Sequence, residues 1–309
     1  MGFVTAKYNL SRFNLPGFKE TRDKQHYQFI NPLLECDFWT ATNNQNLNEL
    51  REKTNSIINN KINNHHISFA SVYYRDLNNG PWFGINEKEF FSPASLIKVP
   101  LMIAYYKAAE EKPTILQEEI VNTLTYDPSE QNILPEKTLE LNQPYSVEEL
   151  VKRMIIFSDN NAYRLLLDHI DNDLVYKVYT DLGVDISKAK NNPTGNVLSV
   201  SGYASFFRIL YNASYLNRSM SEKALNLLSQ TTFHQGLVAG VPNNITVAHK
   251  FGERHYTNTG EYQLHDCGII YVPDKPYLLC VMTRGNNFNN LSQIISQISE
   301  TIYQEINQK

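Results

Sequence analysis

The first residues that could carry chemistry are a serine and a lysine three positions apart, in the segment FSPASLIKVP at 91–100. Ser95 opens an apolar stretch that predicts a helix, so Ser95 and Lys98 share one helix face. A serine hydroxyl becomes a nucleophile when a neighbouring base takes its proton, and a desolvated lysine is such a base. The free N–H groups of a helix start favour a developing oxyanion. The alternative is an ordinary helix-start serine, because roughly one S-x-x-K is expected by chance.

A second group, Ser158-Asp159-Asn160, lies at the junction of two predicted helices. In a functional interpretation the Ser158 hydroxyl passes a proton and the Asn160 amide holds a substrate carbonyl. The structural alternative is helix capping, for which Ser, Asp and Asn are all suited.

A third group, His249-Lys250-Phe251-Gly252, lies on a predicted strand near the C-terminus. A glycine in a strand permits close backbone approach of a ligand. Lys250 would place a positive charge beside Lys98, and a nearby cation disfavours protonation of a lysine. Because a K-x-G triplet is common, this group has meaning only together with the other two.

The elements that must position these groups follow from hydrophobic periodicity. Helices are predicted at 46–63, 94–111, 146–157, 160–169, 173–182, 200–211, 221–228 and 290–306. Strands are predicted at 67–74, 82–85, 246–251, 262–272 and 277–283. Strands at both ends of the chain favour one antiparallel sheet with the helical block beside it. A small-molecule site is expected in the groove between the sheet edge and the helices.

Composition excludes several classes of protein. The chain has 309 residues, 42% of them hydrophobic, with 32 Asp+Glu against 28 Lys+Arg. That hydrophobic fraction excludes a disordered chain, and the lack of a basic stripe argues against nucleic acid as a partner. No Cys/His cluster suggests a metal, and we expect no cofactor. Cys267 and Cys280 lie on neighbouring predicted strands, where buried free thiols are favoured and a disulfide is the alternative.

Taken together, the three groups resemble the motif set of the class A β-lactamases and penicillin-binding proteins, a family of penicillin-recognising serine hydrolases. The resemblance covers about residue 46 to the end and includes the segment HDCGII at 265–270. It implies a two-subdomain β-lactamase-like α/β (α+β) fold, in which an antiparallel sheet flanked by N- and C-terminal helices adjoins an all-α subdomain. The implied domains are an N-terminal extension (1–45) and a catalytic domain (46–309), divided into an α/β subdomain (about 46–90 and 240–309) and a helical subdomain (about 91–239).

The resemblance also implies a role for each matching residue. Ser95 would be the nucleophile and Lys98 its proton acceptor. Ser158 would donate the proton to the leaving nitrogen. Asn160 would hold the substrate amide, and Lys250 would be the cation near the substrate carboxylate. The oxyanion hole would be formed by the backbone N–H groups of Ser95 and of Glu253, which follows Gly252.

The chain departs from the family pattern in its acidic residues. Class A enzymes keep a glutamate on an Ω-loop between the second and third motifs, where it activates the water that releases the acyl-enzyme. Here no glutamate occurs between Glu149 and Glu222, and the segment DISKAKNNPTGNVLS at 185–199 looks shortened, with Asp185 as its only acid. We therefore expect acylation to remain possible and deacylation to be slow, because its base is missing or different.

A second departure is Phe251, which replaces the Thr or Ser whose hydroxyl binds the substrate carboxylate in the family. Arg284 or Arg254 would be an alternative anchor for that carboxylate, although both could equally be solvated surface arginines.

The expected function is that of a β-lactamase-like serine hydrolase acting on a β-lactam or related amide. The alternatives are a penicillin-binding D,D-peptidase or transpeptidase relative acting on peptidoglycan stem peptides, and a catalytically silent cell-wall-binding module. The expected partner is accordingly a β-lactam or a peptidoglycan peptide, with no nucleic acid and no metal, and a monomer is expected. Such chemistry belongs in the periplasm or outside the cell. Residues 1–18 contain no apolar signal-peptide core, so we expect an export signal or anchor to have been removed.

Overall fold

A computed structural model gives the structure of residues 16–22, 27–40, 45–78, 80–186 and 195–308. The strands are β1 (Pro16–Arg22), β2 (Leu33–Thr40), β3 (Phe69–Asp76), β4 (Trp82–Ile85), β5 (Phe90–Phe91), β6 (Glu119–Val121), β7 (Pro144–Ser146), β8 (Leu198–Ser199), β9 (Val247–Tyr256), β10 (Glu261–Ile270) and β11 (Tyr277–Gly285). The α-helices are α1 (Gln45–Asn63), α2 (Lys98–Glu111), α3 (Val147–Ile156), α4 (Asn160–His169), α5 (Asn172–Asp181), α6 (Val200–Tyr211), α7 (Arg218–Leu228) and α8 (Phe288–Asn307).

A five-stranded antiparallel sheet in the order β4-β3-β11-β10-β9 combines strands from both ends of the chain, as predicted. β11 lies at its centre, and its apolar run is buried on both faces because helices cover the sheet on each side. β9 is an edge strand and runs to Tyr256, five residues beyond its predicted end. Its free edge therefore faces the helical block.

Two apolar cores lie on opposite faces of the sheet. On one face α1 and α8 pack together, and the apolar stripe of Ile294, Ile295, Ile298 and Ile302 on α8 is fully buried. On the other face α6 packs against β3, β10 and β11 and connects the sheet to the helical block. This arrangement confirms the predicted fold class, an antiparallel sheet between terminal helices and an all-α part.

The helical block is built around α2, which is buried on nearly its whole circumference. A helix with no polar face belongs in a core, and here α3, α5 and α7 surround it. The prediction was wrong at the start of α7, which begins at Arg218 and not at 221. Its start is fixed by Asn217, whose side-chain oxygen accepts a hydrogen bond from the Met220 N–H at 2.9 Å.

The N-terminal region contains a hairpin that the sequence did not predict. β1 and β2 pair antiparallel, although no sustained alternation marks them in the sequence. The chain between them docks on α7, where the Glu222 carboxylate accepts hydrogen bonds from the backbone N–H groups of Gln28, Phe29 and Ile30 at 2.9–3.2 Å. Phe29 and Ile30 are buried in the core of the helical block, so this segment packs on the domain.

Cys267 on β10 lies directly opposite Cys280 on β11, and both are free, buried thiols, as favoured. Among the described residues, no helix combines the length and the apolar character that a membrane crossing requires.

Candidate active site

Ser95 lies in a single 3₁₀ turn (Ala94–Ile97) that leads directly into α2. Ala94, just before it, has a φ of 45°, in the left-handed region that non-glycine residues seldom occupy. Such strain persists only where the surrounding structure enforces it, and it is concentrated at functional sites. The turn itself is closed by the Leu96 N–H, which donates to the Pro93 carbonyl at 2.9 Å.

The segment leading to this turn is clamped by side chains from the sheet. The Ser92 N–H donates to Gln263 Oε1, and the Ser92 carbonyl accepts from His265 Nε2, both at 3.0 Å. Burial lowers the pKa of His265 to about 3, so the ring is neutral and its Nε2 carries the proton for this bond. Both backbone groups of Ser92 are thereby fixed three residues before Ser95.

Lys98 is the centre of the site. Its side chain is 1% exposed, and its Nζ lies 2.9 Å from Ser95 Oγ, 2.8 Å from Asn160 Oδ1 and 2.6 Å from the Ser158 carbonyl. The Ser158 hydroxyl is 3.2 Å away. The structure thus brings the lysine together with Ser158 and Asn160 of the second motif, which lie about 60 positions later in the chain.

The second motif occupies the junction between α3 and α4. Asp159 caps α4, its Oδ1 accepting from the Ala162 N–H at 3.0 Å, so the capping interpretation applies to the aspartate. Ser158 has a φ of 56°, which again places a non-glycine residue in the left-handed region. This conformation ends α3 and directs Ser158 and Asn160 towards Lys98.

Lys250 on β9 is fully buried beneath Ser158. Its Nζ donates to Ser158 Oγ and to the Phe251 carbonyl, both at 3.0 Å, and lies 4.0 Å from the centre of the Phe251 ring. The Ser158 hydroxyl is therefore shared by two lysines. Through this hydroxyl Lys250 is connected to the cleft.

Burial determines the protonation of both lysines. It lowers the pKa of Lys98 from 10.5 to about 7, against the opposing effect of the nearby Asp159 carboxylate. It also lowers the pKa of Lys250 well below its usual range, and repulsion from Lys98 acts in the same direction. At neutral pH a substantial fraction of Lys98 is therefore the free amine that a general base requires.

Gly252 packs tightly against the nucleophile turn, and its predicted contact with a ligand stays a prediction. A Cβ added there would lie 3.1 Å from the Pro93 carbonyl oxygen and 3.2 Å from the Leu96 nitrogen. The glycine therefore allows β9 to approach the nucleophile turn closely. Because β9 is an edge strand, its backbone at Gly252 can approach the turn that carries Ser95. The oxyanion donor at the Glu253 backbone N–H stays a prediction.

Arg284 does not lie in the cleft, so its prediction as a carboxylate anchor was wrong. It is on β11, two strands away from β9, and its guanidinium donates to the Phe90 carbonyl and to Glu89. The same group lies 4.3 Å from the centre of the Phe91 ring. Arg284 therefore helps to hold the segment that precedes Ser95. Arg254, by contrast, lines the cleft.

The cleft at this site has a volume of about 470 Å³. Its walls include residues that the sequence analysis did not propose, namely Asn132, Ile133, Tyr163 and Arg164. A signal existed for Arg164, which lies four residues after Asn160 and so shares its face of α4. None existed for Asn132 and Ile133, which come from a loop without periodicity.

The segment predicted to be a shortened Ω-loop, 185–199, includes residues 187–194, which lie outside the described residues. Within the described part of the chain, no cluster of three or more His, Cys, Asp or Glu side chains has the geometry of a metal site.

The sheet, the helical block and the cleft between them define the β-lactamase-like class of fold. The family model described as "Beta-lactamase enzyme family" matches residues 50–306, and the chain belongs to that family. No curated protein matches the chain.

Solved structures show the same fold. A mutant of PBP-A in its acyl-enzyme complex with penicillin G is 22% identical with a TM-score of 0.70, covering 85% of this chain and 98% of its own. The TLA-3 extended-spectrum β-lactamase is 20% identical with a TM-score of 0.72, covering 84% and 98%. A β-lactamase from Sphaerobacter thermophilus is 22% identical with a TM-score of 0.70, covering 84% and 97%.

Proposed function

We propose that the protein is a serine acyl-transfer enzyme that opens a β-lactam or related amide through an acyl-enzyme on Ser95 and releases the acyl group slowly. The observation that carries the proposal is the position of Lys98. Its buried Nζ lies within hydrogen-bond distance of Ser95 Oγ and of the second motif at the same time.

Acylation begins with proton transfer from Ser95 Oγ to the neutral Lys98 amine, 2.9 Å away. The oxygen attacks the substrate carbonyl carbon, and the carbonyl oxygen becomes an oxyanion. The backbone N–H groups of Ser95 and Glu253 stabilise that charge, and fixed donors of this kind contribute a large part of such catalysis. Asn160, hydrogen-bonded to Lys98, holds the amide side chain of the substrate.

Collapse of the tetrahedral intermediate breaks the carbon–nitrogen bond, and the leaving nitrogen must gain a proton. Ser158 supplies it, because its hydroxyl lies 3.2 Å from Lys98 Nζ and 3.0 Å from Lys250 Nζ. Lys98, protonated in the first step, returns its proton to Ser158 Oγ. The products are the Ser95 ester and the free amine, with no net change in protons on the protein.

Slow release of the acyl group follows from the acidic side chains available in the cleft. A water that attacks the ester needs a base, and carboxylates usually fill this role in class A enzymes. Of the described side chains that line the cleft, only that of Glu253 is acidic, and both of its oxygens accept hydrogen bonds from a loop. Lys98, once neutral again, is the remaining candidate base.

The choice of β-lactam as a probe is supported by PBP-A, whose mutant forms an acyl-enzyme with penicillin G. The second candidate function is that of a D,D-peptidase or transpeptidase relative acting on peptidoglycan stem peptides. It is favoured by the missing glutamate, because an enzyme that transfers its acyl group to an amine does not need a base dedicated to water. We place either activity outside the cytoplasmic membrane, where those substrates occur.

The test is covalent labelling with a fluorescent penicillin, comparing the parent protein with Ser95→Ala. Ser56→Ala is the matched control, since Ser56 is an exposed serine on α1. We expect a stable label on the parent and on the control, and none on Ser95→Ala. An unlabelled parent that still binds peptidoglycan would support the catalytically silent wall-binding module instead. Rapid steady-state turnover of a chromogenic cephalosporin would refute slow release.

A further inference from the structure

Glu253 places a negative charge in the wall of the cleft. It follows Gly252 on β9, so its backbone lies next to the nucleophile turn. Its Oε1 accepts a hydrogen bond from the Ile133 N–H at 2.6 Å, and its Oε2 accepts one from Asn132 Nδ2 at 2.8 Å. Both donors are neutral, so they orient the carboxylate without cancelling its charge.

No described cation forms an ion pair with this carboxylate. Lys250 is buried and bonded to Ser158 and the Phe251 carbonyl. Arg254 also lines the cleft, but its guanidinium lies over the Tyr256 ring at 5.2 Å from the ring centre. Glu253 nevertheless lines the cleft, and its charge reaches the catalytic centre, where it acts to raise the pKa of Lys98 against the larger effect of burial.

Phe251 occupies the same face of β9 two residues earlier. Its ring is buried and packs on Phe233 at 4.4 Å between ring centres. This wall consequently presents an apolar ring and a carboxylate, without a side-chain hydroxyl. An anionic group bound here would gain no donor from these two side chains and would be repelled by Glu253.

We infer that Glu253 selects against substrates with a carboxylate beside the scissile amide, so that the natural substrate presents a neutral or cationic group at this wall. The inference rests on the proposed acylation of Ser95 and defines the substrate class of that site. For a peptide substrate, the residue after the scissile bond would be internal or carry a blocked carboxylate, and a free C-terminal residue would be disfavoured.

The test compares acylation of Ser95 by penicillin G and by its methyl ester, which has the same reactive ring without the negative charge. Rate constants come from the time course of the intact protein mass. For Glu253→Gln, we expect the ratio of the free-acid rate to the ester rate to rise about tenfold over the parent protein. Comparing ratios removes the difference in intrinsic reactivity between the two probes.

Two control variants distinguish the effect of the Glu253 charge from a structural effect of the substitution. Asn132→Ala removes one bond to the loop and keeps the charge, and Glu52→Gln removes an exposed charge on α1. Both should leave the ratio at its parent value. An unchanged ratio in Glu253→Gln, or the same rise in Asn132→Ala, would overturn the selective role of Glu253 alone. No adduct with either probe would refute the acylation chemistry and this inference with it.

Discussion

The pH dependence of Ser95 acylation is the most informative prediction, because it measures the state of Lys98 directly. Burial lowers the pKa of this lysine from 10.5 to about 7, which corresponds to about 5 kcal/mol of preference for the neutral amine. The neutral fraction is then about one-tenth at pH 6, half at pH 7 and nine-tenths at pH 8. A lysine left at 10.5 would have a neutral fraction on the order of a thousandfold smaller at pH 7.

We therefore expect the acylation rate constant to rise about tenfold from pH 6 to pH 8 and to level off above. The assay is single-turnover labelling with a fluorescent penicillin at pH 5.5 to 9.5, followed by stopped flow or quenched gels. A rate constant that continues to rise tenfold per pH unit up to pH 10 would refute Lys98 as the buried base. A rate constant that does not change from pH 6 to pH 9 would refute it as well.

A single substitution tests the electrostatic contribution of Asp159 to the pKa of Lys98. The Asp159 carboxylate raises the pKa of Lys98 against the larger effect of burial. Asp159→Asn keeps an oxygen for the Ala162 cap and removes the charge, so the midpoint of the pH profile should move to lower pH. Asp171→Asn is the matched control, because Asp171 caps α5 in the same way and should leave the midpoint unchanged. A shift to higher pH in Asp159→Asn would contradict the electrostatic account.

Three further predictions concern stability and packing. Lys98 binds its proton more weakly in the folded than in the unfolded protein, so the free energy by which it destabilises the fold decreases as the pH rises from 7 towards 10.5. In urea unfolding, the free energy of unfolding of the parent should therefore increase by about 2 kcal/mol relative to Lys98→Met between pH 7 and pH 9. Gly252→Ala pushes a methyl group against the backbone of Pro93 and Leu96, so labelling should slow at least about tenfold while circular dichroism stays native. Glu222→Ala leaves three backbone donors unpaired, and the free energy of unfolding should fall by about 1–3 kcal/mol in urea titrations.

The sequence predicted what depends on local pattern. Alternation and helical periodicity located the strands of the main sheet and most helices, and motif spacing placed Lys98 three residues from Ser95 on one face. The hairpin of β1 and β2 was missed because its apolar residues show no sustained alternation. The pairs β5–β8 and β6–β7 were missed because strands of two or three residues are too short to show a period.

What the sequence did not predict depends on contacts between distant residues. Glu253 and Asn132 are 121 positions apart, and nothing local to either indicates that a loop lies over the cleft. Arg284 looked available as an anchor because its strand neighbours were unknown, whereas it is held by Phe90 and Glu89. Gly252 was singled out as a position of close approach, and the sequence did not show that the nucleophile turn packs against it.

The most direct test of the central claim is the intact mass of the protein followed over time after one equivalent of penicillin G. We expect the mass to increase by one whole penicillin molecule and peptide mapping to locate the adduct on Ser95. We also expect the adduct to persist long after the free drug is gone. A protein that never gains this mass, or an adduct on any residue other than Ser95, would contradict that claim.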